Sequence, residues 1–72
     1  MIPTDWSSVD STSVDAIKYD ATAGNLHVRF KKGSEYIYEG VEPETVEELY
    51  HASSPGGFLW DNVIGTYPHR RA

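Results

Sequence analysis

The sequence predicts an α+β fold: a three-stranded antiparallel β-meander covered by one or two short C-terminal helices. Three observations carry this. Leu26, Val28 and Phe30 alternate with His27, Arg29 and Lys31, the period-two pattern of a strand with one buried face. A second run rich in strand formers, with Tyr36, Ile37, Tyr38 and Val41, follows across Lys31-Lys32-Gly33. Beyond it, Val46, Leu49, Tyr50 and Ser53 fall at helical spacing behind Pro43, a residue suited to a first helical position.

In chain order, residues 1–13 are rich in Ser, Asp and Thr and read as a flexible N-terminal arm. Trp6, its one large aromatic, either docks on the domain or is an exposed anchor for a partner; docking or simple disorder is the plainer reading. Residues 14–20 form the first strand, with Ile17 and Tyr19 on one face and Ala16 and Lys18 on the other. Asp20 to Asn25 is a turn in which Gly24 and Asn25 can take left-handed angles. The inner face of the meander is then Ile17, Tyr19, Leu26, Val28 and Phe30.

The register of the hairpin decides which way Tyr36 and Tyr38 point, because a one-residue slip moves every side chain to the other face. A two-residue turn at Lys32-Gly33 would set Arg29 opposite Tyr36 and place both tyrosines on the polar face. A three-residue loop, with Gly33 at φ > 0 in a bulge, sets Arg29 opposite Glu35, Val28 opposite Tyr36 and Leu26 opposite Tyr38. The second is favoured. It pairs opposite charges across the strands and keeps Glu35 off the buried face, at the expense of leaving Ile37 as a lone outward isoleucine.

The cover follows. Glu44, Glu47 and Glu48 crowd the early turns of the first helix, where the dipole favours anions, and read as a solvated face. Ser53-Ser54-Pro55-Gly56-Gly57 breaks that helix. Ser54 and Pro55 resemble the cap and first residue of a second one, packed through Phe58, Leu59, Val63 and Ile64 and ended by Gly65. Gly56 and Gly57 are poor helix formers; they allow close backbone packing or, less simply, expose amides to an anion. The domain spans residues 14–68, and residues 69–72 are a basic C-terminal tail.

Seventy-two residues make one domain, which buries only about 60% of its unfolded surface. There is no Cys, so neither a disulfide nor a thiolate metal site can staple it. No apolar stretch is long enough for a membrane span and no signal peptide is visible, so a cytoplasmic location is expected. The net charge of −5 weighs against nucleic-acid binding, but it is unevenly spread. Residues 25–34 carry Arg29, Lys31 and Lys32 and no acid, whereas residues 35–52 carry six Glu and no Lys or Arg.

No nucleophile elbow, phosphate loop or dinucleotide fingerprint is present, and His27, His51 and His69 lack metal spacing. The expectation is a non-catalytic module with no cofactor and no metal.

Over residues 13–68 the pattern resembles the KTSC domain, named for its occurrence at the C-terminus of some lysyl-tRNA synthetases. The resemblance rests on Ile17-Lys18-Tyr19, Leu26-His27-Val28-Arg29-Phe30, Gly33, Tyr36-Ile37-Tyr38, Val41-Glu42-Pro43, Ala52-Ser53-Ser54-Pro55-Gly56, Phe58-Leu59 and Tyr67. Trp60 departs from it, standing where a polar residue, commonly Asn, is expected. The resemblance implies a small α+β module, also found alone in bacteria and phage, with no established activity. RNA binding is suggested for the family by its synthetase attachment.

Two binding readings follow. A nucleic-acid reading uses Lys18, Arg29, Lys31, Lys32, Arg70 and Arg71 against phosphates, with Tyr36 and Tyr38 stacking bases only under the two-residue turn. A protein-partner reading uses the acidic helix face, the surface around Gly56, Gly57 and Trp60, or the sheet edge.

Overall fold

The computed structural model describes residues 2–72. It holds one antiparallel sheet of five strands in sequential order: β1 (Ser7–Ser8), β2 (Val14–Asp20), β3 (Asn25–Phe30), β4 (Glu35–Tyr38) and β5 (His69–Arg71). Helices α1 (Pro43–Tyr50) and α2 (Pro55–Asn62) lie between β4 and β5 in the chain.

The expected α+β class and both helices are present, but the meander has five strands, not three. The two extra strands come from the segments expected as a flexible arm and a basic tail. Both are too short and too polar to give a period-two signal. Backbone pairing recruits them: the Tyr19 amide donates to Pro3 O at 2.9 Å, Glu39 N to Pro68 O at 2.9 Å and Ala72 N to Glu35 O at 2.9 Å. Each thereby covers the open edge of a longer, more apolar strand.

The hairpin takes the three-residue loop. Arg29 pairs with Glu35, Val28 with Tyr36 and Leu26 with Tyr38. Gly33 has φ +100°, and the loop closes through Phe30 N to Ser34 O and Gly33 N to Phe30 O, both 2.8 Å. This conformation strains any residue with a Cβ, which is why glycine stands there. Tyr36 and Tyr38 therefore face inward with Val28 and Leu26.

The inner face packs on the helices. Val14, Ile17, Tyr19, Leu26, Val28, Tyr38 and Val41 form one cluster with Val46 and Leu49 of α1, Leu59 of α2 and the adjoining Val63. The apolar stripe expected of α1 is real but narrow, since only Val46 and Leu49 are fully enclosed. In α2 Pro55 and Leu59 are buried, and the Ser54 side chain makes no cap bond.

Ile37 corrects an expectation. It points away from the helices, as the register requires, yet it is only 9% exposed. Strand β5 sets Arg70 directly beside it, so the outer row has a neighbour that a three-strand sheet lacks.

Inside the core, the Tyr19 hydroxyl donates to the Val41 carbonyl, tying β2 to the entry of α1. Burial, with the Glu44 and Glu42 carboxylates nearby, raises this phenol above its ordinary value of 10.0. The folded state thus holds the proton more tightly than the unfolded chain. That stability is complete below pH 10 and is lost as pH rises through the folded pKa. Tyr19→Phe should lower the unfolding free energy by about 1–2 kcal/mol, leaving the Val41 carbonyl unpaired, and should flatten the alkaline limb of the stability profile. Urea unfolding across neutral and alkaline pH checks this; an unchanged midpoint would show that the bond contributes nothing.

Candidate functional site

Two surfaces gather the residues singled out above. The first is the outer face of the sheet, which no helix covers. Lys18 stands opposite His27, His27 opposite Ile37, and Ile37 opposite Arg70, forming one row across four strands. Arg29 heads the adjoining row between Ala16 and Glu35.

This face is largely satisfied from within. Trp6 docks on it: the Arg29 guanidinium carbon lies 4.2 Å and the Lys18 ammonium 4.9 Å from the indole centroid. The His27 ring meets the indole at 6.4 Å and 87°, edge to face. Each cation–π contact contributes about 0.5–1 kcal/mol at an exposed site. The arginines also have carboxylate neighbours, with Arg29 3.8 Å from Asp15 and 3.7 Å from Glu35, and Arg70 3.1 Å from Glu39. Lys18, Arg29 and Arg70 are therefore engaged by the domain's own groups, so much of the charge expected to meet phosphates is already balanced.

The second surface lies at the tip of the hairpin. Lys31 and Lys32 are exposed at its tip. The Lys31 amide donates to Ser13 O at 2.9 Å, which fastens the tip to the loop before β2. That loop is held in turn by the Ser11 hydroxyl, which accepts from Ser13 N at 3.2 Å and Val14 N at 3.1 Å. Across from it is α2. A Cβ on Gly56 would stand 2.8 Å from Ser13 Oγ and 3.1 Å from Ser11 Oγ, and one on Gly57 would stand 3.0 Å from Ser54 Oγ. Gly56 thus admits close packing of the serine loop against α2, and Gly57 leaves room for the Ser54 side chain at the start of the same helix.

Trp60 projects from α2 into this region and is 69% exposed, the one large hydrophobic side chain so exposed among the described residues. It separates two grooves. One, of about 600 Å³, is polar and takes in Asp10, Ser54, Gly56 and Gly57. The other, of about 310 Å³, is lined mainly by apolar surface and takes in Phe30, Lys32 and Ser34. Thr12, Ser13, Lys31 and Trp60 line both.

The sequence set Lys31 and Lys32 apart from Gly56, Gly57 and Trp60, as rival sites. The structure makes them one surface, through a pairing of Lys31 with Ser13 that no local pattern announces. Tyr36 and Tyr38, which could stack bases only under the two-residue turn, are half-buried and buried and belong to the core face, as the favoured register requires. Tyr36 and Tyr38 instead contact His69 of β5, at 5.9 and 5.6 Å between ring centroids. Arg71 lies opposite Tyr36 on the far edge strand and lines neither of the grooves beside Trp60. Among the described residues no group of three or more His, Cys, Asp or Glu is placed to hold a metal ion. Among the described residues no helix is long and apolar enough to cross a membrane.

Two short helices on one face of a five-stranded antiparallel sheet, with the terminal segments as its edges, define a class of small α+β domain. The model of the KTSC domain matches residues 10–67, and the chain belongs to that family. A protein of Tsukamurella paurometabola is 37% identical over 51 residues, 71% of this chain and 76% of that one. An uncharacterized protein of Stutzerimonas stutzeri is 39% identical over 49 residues, 68% and 69% of the two chains. The crystal structure of a KTSC domain protein from Yersinia pestis superposes with a TM-score of 0.88 at 26% identity, covering 94% of this chain and 96% of its own.

On the outer face, His27 is held below its ordinary value of 6.5 by burial first and by the Lys18 charge second. Arg70 acts in the same direction, and Asp20 and Glu35 oppose it. The folded state favours neutral imidazole, so this stability is complete above pH 6.5 and is lost as pH falls through the folded pKa. His27→Gln should shrink the loss of thermal stability on acidification below that value. A melting series from neutral to acid pH reads it, and an acid limb identical to the parent's would remove His27 as its source.

Proposed function

We propose that this KTSC domain is a non-catalytic binding module whose working surface is Trp60 with the two grooves beside it, and that its ligand is single-stranded nucleic acid. The observation that carries the reading is the exposed indole of Trp60 in one groove with Lys31 and Lys32. An accessible aromatic face flanked by ammonium groups is what sequence-tolerant strand binding requires. Stacking supplies about 1–3 kcal/mol per base, and the cations follow the phosphates. Unlike Arg29 and Arg70, Lys31 and Lys32 have no ion-pair partner among the described residues within 4.0 Å. The surface is small, so weak binding that fades with salt is expected.

A protein partner is the second reading. What favours it is the net charge of −5, together with the neutralisation of the outer-face arginines. Here Trp60 would be a buried anchor at the centre of the interface, the usual role of an exposed tryptophan in a groove.

An amide-resolved NMR titration with short single-stranded RNA at low and physiological salt separates the two. The first reading expects shifts at the hairpin tip, residues 10–13 and α2. Trp60→Ala should weaken binding roughly tenfold or more, and Lys31→Glu with Lys32→Glu should abolish it without unfolding the domain. Replacing each lysine singly by Ala should lower the slope of log affinity against log salt by about 0.7. No response at low salt would eliminate nucleic acid and leave the protein partner.

A further inference from the structure

The two grooves beside Trp60 differ in charge as well as polarity. Lys32 lines only the smaller one, and Asp10 lines only the larger one. Between them runs the shared strip of Thr12, Ser13, Lys31 and Trp60. A strand stacked on the indole therefore meets a graded surface, with the Lys32 ammonium on one side, Lys31 on the shared strip and the Asp10 carboxylate among hydroxyls on the other. A phosphate is attracted to the first side and repelled by Asp10 from the second.

A ribose behaves differently. Its 2′-hydroxyl is a hydrogen-bond donor as well as an acceptor, and a carboxylate offers only acceptors. Asp10 and Thr12 are both exposed, so each can turn toward a ligand without breaking a core contact. The chain after Asp10 is fixed by the two bonds to the Ser11 hydroxyl and by the Lys31 amide on Ser13 O, and Val9 before it packs against the core. The acceptor is thus presented from a braced backbone.

Resting on the nucleic-acid reading above, we infer that this surface selects RNA over DNA, with Asp10 accepting a hydrogen bond from the ribose 2′-hydroxyl of a nucleotide stacked on Trp60. The phosphate of that nucleotide lies on the Lys32 side, with Lys31 within the shared strip. The same carboxylate that accepts from ribose repels a misplaced phosphate, so it acts on orientation as well as on sugar identity. A hydrogen bond to a charged acceptor corresponds to a preference of about tenfold or more.

The test compares a labelled oligouridylate with its deoxyuridine counterpart, which differ only in the 2′-hydroxyl, by fluorescence anisotropy at low salt. Parent, Asp10→Ala and Trp60→Ala proteins are used, each checked for an unchanged amide spectrum outside the site. The expected result is a ribo preference of about tenfold that collapses in Asp10→Ala, while Trp60→Ala weakens both oligonucleotides. Equal affinity of the parent for both, still lost in Trp60→Ala, would overturn this inference and leave the nucleic-acid reading standing. A ribo preference that survives in Asp10→Ala would overturn the role of Asp10. Absence of binding by either oligonucleotide would overturn both readings together.

Discussion

The register of the β3–β4 hairpin is the constraint on which the rest of this domain depends. One glycine with a left-handed backbone, Gly33, admits the third loop residue, and that residue sets every cross-strand pair after it. With the loop one residue shorter, Glu35 would turn toward the helices and Tyr36 and Tyr38 toward solvent. The core would lose Tyr38 and would have to enclose a carboxylate, which costs several kcal/mol when unpaired. The observed register gives Arg29 the Glu35 neighbour and leaves the inner face free of buried charge. It also aims the loop itself, with Lys31 and Lys32, toward Ser13 and α2, so the proposed binding surface and the core share one origin.

The two faces of the sheet are closed by different means. On the inner face, helices remove aliphatic side chains from water, the term that dominates folding. On the outer face Trp6 and the stems of long cations lie over the strands, a cover that keeps its charged ends wet. For a chain of this size the second device matters, because two short helices cannot screen both faces. It also redirects the search for function: a face already occupied by its own tryptophan is a poor platform for a ligand, whereas Trp60 has no such occupant.

Much of the central fold was legible in the sequence. The alternation of Leu26, Val28 and Phe30, the placement of Pro43 and Pro55, and the Gly33 loop each carry a local physical signature, and the KTSC resemblance rests on the same residues. The outer strands were not legible, since Ser7–Ser8 and His69–Arg71 contain no hydrophobic alternation and are stabilised by backbone groups that every sequence possesses. The burial of Ile37 went unseen for the same reason, as its neighbour Arg70 lies on one of those strands. The site was half legible. Lys31, Lys32 and Trp60 each stood out, but their meeting depends on the close approach of the serine loop to Gly56, a long-range packing event. The one hint was that a tryptophan replaced a polar residue of the family pattern.

The terminal strands also act as guards. Interior strand β4 contains Tyr36-Ile37-Tyr38, a run with strong β propensity and no charge, the kind of segment that recruits copies of itself when its backbone lies open. Strand β5 occupies that edge and presents His-Arg-Arg outward instead, and at the other margin β1 offers only two serines. A protease that trimmed residues 69–72 would leave the core residues of the helices in place yet convert a charged margin into an adhesive one. The damage would register first as light scattering from self-association, before any loss of helical signal.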